Sequence, residues 1–169
     1  VAGTDQFYLT TGNGNNTFNY FYFYSAGNAR EVLDAAQREG SVYYTGAAKI
    51  VLAMGLAHVT DMMGDVPYSE AFRGAQNFTP KYDPQEQVYQ SISQLLDEGI
   101  AEMQKPASAN FRPLYITSPS VSGDILYRGN TDRWIRLAKA LKARQLHHLT
   151  KKGNYAGQIA PQVLQLVSE

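Results

Sequence analysis

Apolar residues recur along most of this chain at intervals of three and four, the spacing of one helix face. The strongest such stretch is 42–63. Val42, Tyr43, Ala47, Ile50, Val51, Met54, Leu56, Ala57, Val59 and Met63 leave it little polar surface, so it is predicted to be a central helix packed on several sides. Its uninterrupted run from Ile50 to Ala57 is short of the roughly 20 residues a membrane span needs. Before it, Asn28 and Glu31 have capping-box spacing. They predict a helix in which Val32, Leu33, Ala35 and Ala36 face inward, Gly40 sits at the C-terminal turn and Ser41 caps the next helix.

Three more helices follow. Asp83 as cap, Pro84 at the first position and Glu86 completing the box open one whose stripe is Val88, Ile92, Leu95, Leu96, Ile100 and Met103. Thr131 or Asp132 opens another, running to about Thr150, with Trp134, Leu137, Ala138, Leu141, Gln145 and Leu149 inside. A last begins near Ala156. At the N-terminal end a Gly/Asn loop is expected over residues 10–16. The aromatic run Phe18–Tyr24 has the length of a strand but leads straight into a helix, and is read as helical. Residues 105–131, rich in Pro, Ser, Gly and Asn, form a long connection; its "RPLYITSPS" would hold a short extended piece. The expected fold is all-α, with helix pairs stacked like an α-solenoid and decorated by long loops, although no strict 34-residue repeat is present.

Composition narrows the function. The 169 residues carry 15 basic and 15 acidic side chains, giving no net charge, so no nucleic-acid or acidic-lipid partner is expected. There is no cysteine, which removes disulfides, thiolate metal sites and a cysteine nucleophile. Tyr is abundant, at 12 residues. It suits wet interfaces and carbohydrate faces, or the rim of a core. The chain stops inside an apolar pattern (Val163, Leu164, Leu166, Val167) and is read as one partial domain, 1–169, of a longer protein.

The stretch "HVTDMMGDVPYSEAF" (58–72) ends the central helix in an elbow. Gly64 can turn left-handed, Pro67 forces Val66 out of the helical region, and Asp65 is expected to bond nearby amides in an Asx-type turn. Tyr68 and Phe72 would fold back on the helix end. An acidic site of Asp61, Asp65 and Glu70 would need a spacing that matches no calcium loop.

The elbow resembles that of the SusD/RagB family of Bacteroidetes surface proteins. Met63-Gly64-Asp65-Val66-Pro67-Tyr68 stands where the family has a "YGD-I/V-PY" elbow, with Met for the usual Tyr. A second block, Asp124, Tyr127, Gly129, Asn130, Trp134, Leu137, Ala138, Leu141, Lys142 and Arg144, follows the family's later motif. The resemblance covers roughly residues 20–169. It implies a non-catalytic lipoprotein at the cell surface of the outer membrane, built on tetratricopeptide-like helix pairs. Such a protein captures oligosaccharides or other nutrients for import and forms a lid over a SusC-like TonB-dependent transporter. Membrane attachment would come only from a lipidated cysteine upstream of this chain. A helical-repeat adaptor that binds only proteins is the alternative, and a glycoside hydrolase piece would need a carboxylate pair that the sequence does not nominate.

Ligand-binding candidates are Asn15, Asn16, Tyr20 and Tyr22, as rings for sugar faces and amides for hydroxyls; the competing reading packs alternate rings into the first helix pair. Gly64, Asp65, Pro67, Tyr68, Trp134 and Arg144 are expected to be structural, with Trp134 in the core and Arg144 paired to a carboxylate such as Asp61 or Asp65. His147 and His148 splay about 100° apart on a helix and do not suit a shared metal. His58 is alone, no G-x-S-x-G elbow occurs, and no cofactor or metal is expected. The two N-x-T sites, at Asn15 and Asn77, are read as chance matches.

Overall fold

The computed structural model describes residues 12, 14–116 and 123–168. The architecture is all-α, and among the described residues the sole extended pairing is an isolated antiparallel bridge, Val66 with Asp83. Helix α1 (Asn15–Phe18), a π-helical segment (Asn19–Ala26) and α2 (Gly27–Glu39) run on as one rod. Then come α3 (Val42–Met63), α4 (Gln85–Met103), α5 (Thr131–His147) and α6 (Ala160–Ser168). Each packs on the next in sequence, and α3 also touches the π-helical segment and α5.

Helix α3 passes the length and apolarity test for a membrane span, yet it is the central helix of the layer. Ile50, Leu52, Leu56 and Val59 are buried between its neighbours. Met54 and Met62 are exposed. Against α4 the approach is close enough that a Cβ on Gly46 would stand 3.0 Å from the carbonyl oxygen of Gly99. The α4 stripe is buried as expected, with Ile100 only partly so.

Several local expectations are corrected. No cap forms at Asn28: the rod is helical through it, and its amide donates to the Tyr24 carbonyl at 2.8 Å. Val32 is 45% exposed while Leu33 and Ala36, three apart on one helix face, are buried. Asn15 and Asn16 are helical and not loop; the rest of the expected 10–16 loop lies partly outside the described residues, as does the extended piece in 112–120. Gly40 does close α2 with φ 74°, and Ser41 N–H reaches the Ala36 carbonyl. The Ser41 side chain does not cap α3. It donates to Glu39, and the free amide of Tyr43 goes to Asn110 Oδ1 at 3.2 Å. Helix α5 is capped by Asn130, whose Oδ1 accepts from Arg133 N–H, rather than by Thr131 or Asp132. The last helix proper begins at Ala160, after a π-helical turn, Tyr155–Ile159.

Candidate functional site

The elbow is built from both of its ends. Gly64, at φ 79°, breaks α3, and Thr60 Oγ1 donates to its carbonyl at 2.6 Å. The chain then pairs Val66 with Asp83. The Asp83 side chain was expected to cap α4, but it points the other way. It is fully buried and accepts from Tyr68 N–H (2.9 Å), Ser69 N–H (2.6 Å) and the Ser69 hydroxyl (2.7 Å). Burial opposes its charge, but the Ser69 and Tyr68 donors and the nearby Lys81 outweigh it and hold the carboxyl below its ordinary range. The cap on α4 comes instead from Asp65. Its Oδ1 accepts from Gln85 N–H at 2.8 Å, so it forms no local Asx turn. The acidic cluster of Asp61, Asp65 and Glu70 does not assemble. Glu70 faces Lys81, and Asp61 serves another joint.

That joint links three helices. Asp61 of α3 accepts from the Tyr89 hydroxyl of α4 at 2.7 Å, with Arg144 of α5 at 3.7 Å and His148 just beyond α5 at 3.5 Å. Burial first, then the bond to Asp61, pushes the Tyr89 phenol up. A second carboxylate, Asp124, gathers the turn before α5. It accepts from the amides of Leu126, Tyr127 and Gly129, each at 2.9 Å, and from the Trp134 indole at 2.7 Å. Trp134 is buried, with Tyr127 edge-on. Among the described residues no group of His, Asp or Glu could hold a metal.

The aromatic run splits into two faces. On the inner face, Tyr22 stacks on Phe18 (5.3 Å between ring centres) and meets Phe21 and Phe72. Its hydroxyl donates to the Pro67 carbonyl at 2.6 Å, and Arg30 lies over the Phe72 ring. This ties the rod to the elbow and commits Tyr22 to packing. A shallow hollow of about 350 Å³, lined by Phe18, Asn19, Tyr22, Pro67, Ala71, Phe72 and Pro80, opens beside it. On the outer face, Tyr20, Phe23 and Tyr24 are 66%, 74% and 62% exposed. Tyr20 and Tyr24 are 6.0 Å apart, and Phe23 meets Tyr24 edge-on. Asn15 and Asn16 are exposed one turn earlier in the same rod. The structure thus leaves three of the four nominated ligand residues accessible and adds Phe23 and Tyr24.

A family model described as "Starch-binding associating with outer membrane" matches residues 1–167. No curated protein matches the sequence. Among solved structures, a SusD/RagB family protein from Bacteroides thetaiotaomicron is 30% identical with a TM-score of 0.77, over 92% of this chain and 30% of its own. A SusD homologue from Bacteroides fragilis is 25% identical with a TM-score of 0.74, over 100% of this chain and 33% of its own. A chitin-binding SusD homologue from Flavobacterium johnsoniae shares the fold at 20% identity and a TM-score of 0.66, over 90% and 30%. The chain therefore spans about a third of the length of these relatives. With the elbow, the Asp124–Trp134 turn and the helix order all in place, this chain belongs to the SusD-like family.

Proposed function

We propose that the chain is the N-terminal-to-middle part of a non-catalytic cell-surface protein that captures oligosaccharides and passes them to a SusC-like TonB-dependent transporter. The exposed ladder of Tyr20, Phe23 and Tyr24, with Asn15 and Asn16 beside it, carries the reading. Sugar rings present flat C–H faces that stack on such rings, and their hydroxyls suit side-chain amides. The family's description supports a starch-like ligand and an outer-membrane setting. The neighbour named as chitin-binding supports a glycan of that general class. Anchoring would come from a lipidated cysteine upstream of this chain.

The test is calorimetry of the full-length protein with maltoheptaose and chitohexaose. Binding of at least one is expected. Two stacking contacts are worth about 1–3 kcal/mol together, so Tyr20→Ala with Tyr24→Ala should weaken it about tenfold or more at unchanged melting temperature. Binding of neither glycan, with capture of a protein partner intact, would favour the adaptor reading.

A further inference from the structure

A concave surface away from the aromatic ladder lies where the connection after α4 meets the start of α5. Two hollows, of about 570 Å³ and 350 Å³, meet there at Tyr43 and Ala107, which line both. Each is within the range of about 300–1,000 Å³ common to small-ligand sites. Four cations line the joined groove, Lys105, Arg128, Arg136 and Lys139, against the single carboxylate of Asp132. Lys105 is held by Glu102 at 2.6 Å, and Lys139 is also engaged. Arg128 and Arg136 are exposed, and among the described residues no hydrogen bond or ion pair occupies either guanidinium.

The backbone presents Arg128 from a strained position. Its φ is 53°, in the left-handed region that a long side chain rarely adopts. The turn around Asp124 enforces this. The amides of Leu126, Tyr127 and Gly129 all donate to that carboxylate, and Arg128 N–H donates to the Asp124 carbonyl at 3.0 Å. The base of the side chain is therefore fixed at the groove beforehand, which lowers the ordering cost of binding.

The lining defines the ligand. A free guanidinium is a planar fork that matches a carboxylate through two parallel hydrogen bonds. Tyr43, Tyr115, Pro106 and Pro113 add flat apolar faces. A uronic acid offers both features in one ring, a carboxylate and a C–H face. An acidic peptide would look for an open sheet edge or an apolar trough for a helix. No strand lines this groove, and cations dominate its wall.

We propose that the groove is a second glycan site, which takes a short uronic-acid oligosaccharide with its carboxylates on Arg128 and Arg136. It shares no lining residue with the ladder or with the hollow beside Tyr22, so either site fails alone. The test is calorimetry of the full-length protein carrying Tyr20→Ala and Tyr24→Ala, with trigalacturonate as probe and maltotriose and hexaglutamate as controls. Trigalacturonate should bind, and more weakly as salt rises, because exposed charges are screened. Arg128→Gln with Arg136→Gln should weaken it about tenfold or more at unchanged melting temperature, since neither guanidinium bonds to the fold. Arg128→Lys keeps the charge but loses the fork, and should cost a smaller factor. Arg136→Gln alone serves if the double variant folds poorly. Any one of four results overturns the proposal: no binding of trigalacturonate, unchanged affinity in the Gln variants, either control bound as tightly, or another part of the full-length chain filling the groove.

Discussion

At the scale of single residues, two carboxylates, Asp83 fully buried and Asp124 partly so, hold the family motifs in shape. Asp83 collects the elbow and Asp124 the turn before α5, each by main-chain amides plus one side-chain donor. Trp134 belongs to the second set through its indole and to the core through its ring. Trp134→Ala should destabilise the protein by about 3–5 kcal/mol. Trp134→Phe keeps most of the buried ring but removes one donor from a charged acceptor, so a smaller loss of about 1.5–3 kcal/mol is expected. Denaturant unfolding of the full-length protein checks both, and a Trp134→Phe variant as stable as the parent would mean that the indole bond contributes nothing. The place of Trp134 was legible, because it starts a regular apolar stripe. The role of Asp83 was not. Capping rules look three residues ahead, whereas this side chain turns toward Ser69, 14 positions back, and Asp65 caps α4 from 20 positions away.

At the scale of elements, the helices of the interior were readable and the N-terminal rod was only partly so. Aromatic residues at every position from Phe21 to Tyr24 fit either period. A two-residue spacing puts Tyr20 and Tyr22 on one side of a strand but on opposite sides of a helix, which is why Tyr22 packs inward while Tyr20 and Tyr24 share the outer face. A π-helical run is rare and follows from packing, not from propensity. Phe21 sits so near α3 that a Cβ on Gly55 would stand 2.9 Å from its ring. The α3–α4 contact is as tight. A methyl on Gly99 would meet Ile50 Cγ1 at 2.7 Å, inside the fully buried core. Ala is the better helix former by about 1 kcal/mol, but overpacking of this kind costs about 1–3 kcal/mol. Gly99→Ala is therefore expected to lower stability by about 1 kcal/mol, read as a lower unfolding midpoint at unchanged slope. A rise would show that α3 and α4 can separate freely.

At the scale of the whole molecule, acidic side chains join the helices and turns, Asp61, Asp65 and Asp83 across distant parts of the chain and Asp124 within one turn. These set how the fold responds to acid. Asp83 and Asp124 both lie below their ordinary range: burial works against their charge, and the amides, hydroxyl and indole aimed at them prevail. Their unfolded value is about 3.9, so the unfolded chain takes up protons first as pH falls. The stability they add is complete above that value and is lost as pH drops through the lower folded values. Acid also leaves the 15 basic residues unbalanced, which steepens the loss for any variant alike. The specific part separates by comparison. Asp83→Asn with Asp124→Asn should start less stable at pH 6 and decline more gently as pH falls below about 4, by up to about 1.4 kcal/mol per pH unit for each proton no longer linked to folding. The two curves should then approach each other as pH falls through the folded values of the two carboxyls. Parallel curves for the parent and the double variant, measured by denaturant unfolding across that interval, would place the acid sensitivity in general charge repulsion and not in the two carboxylates that hold the elbow and the Trp134 turn.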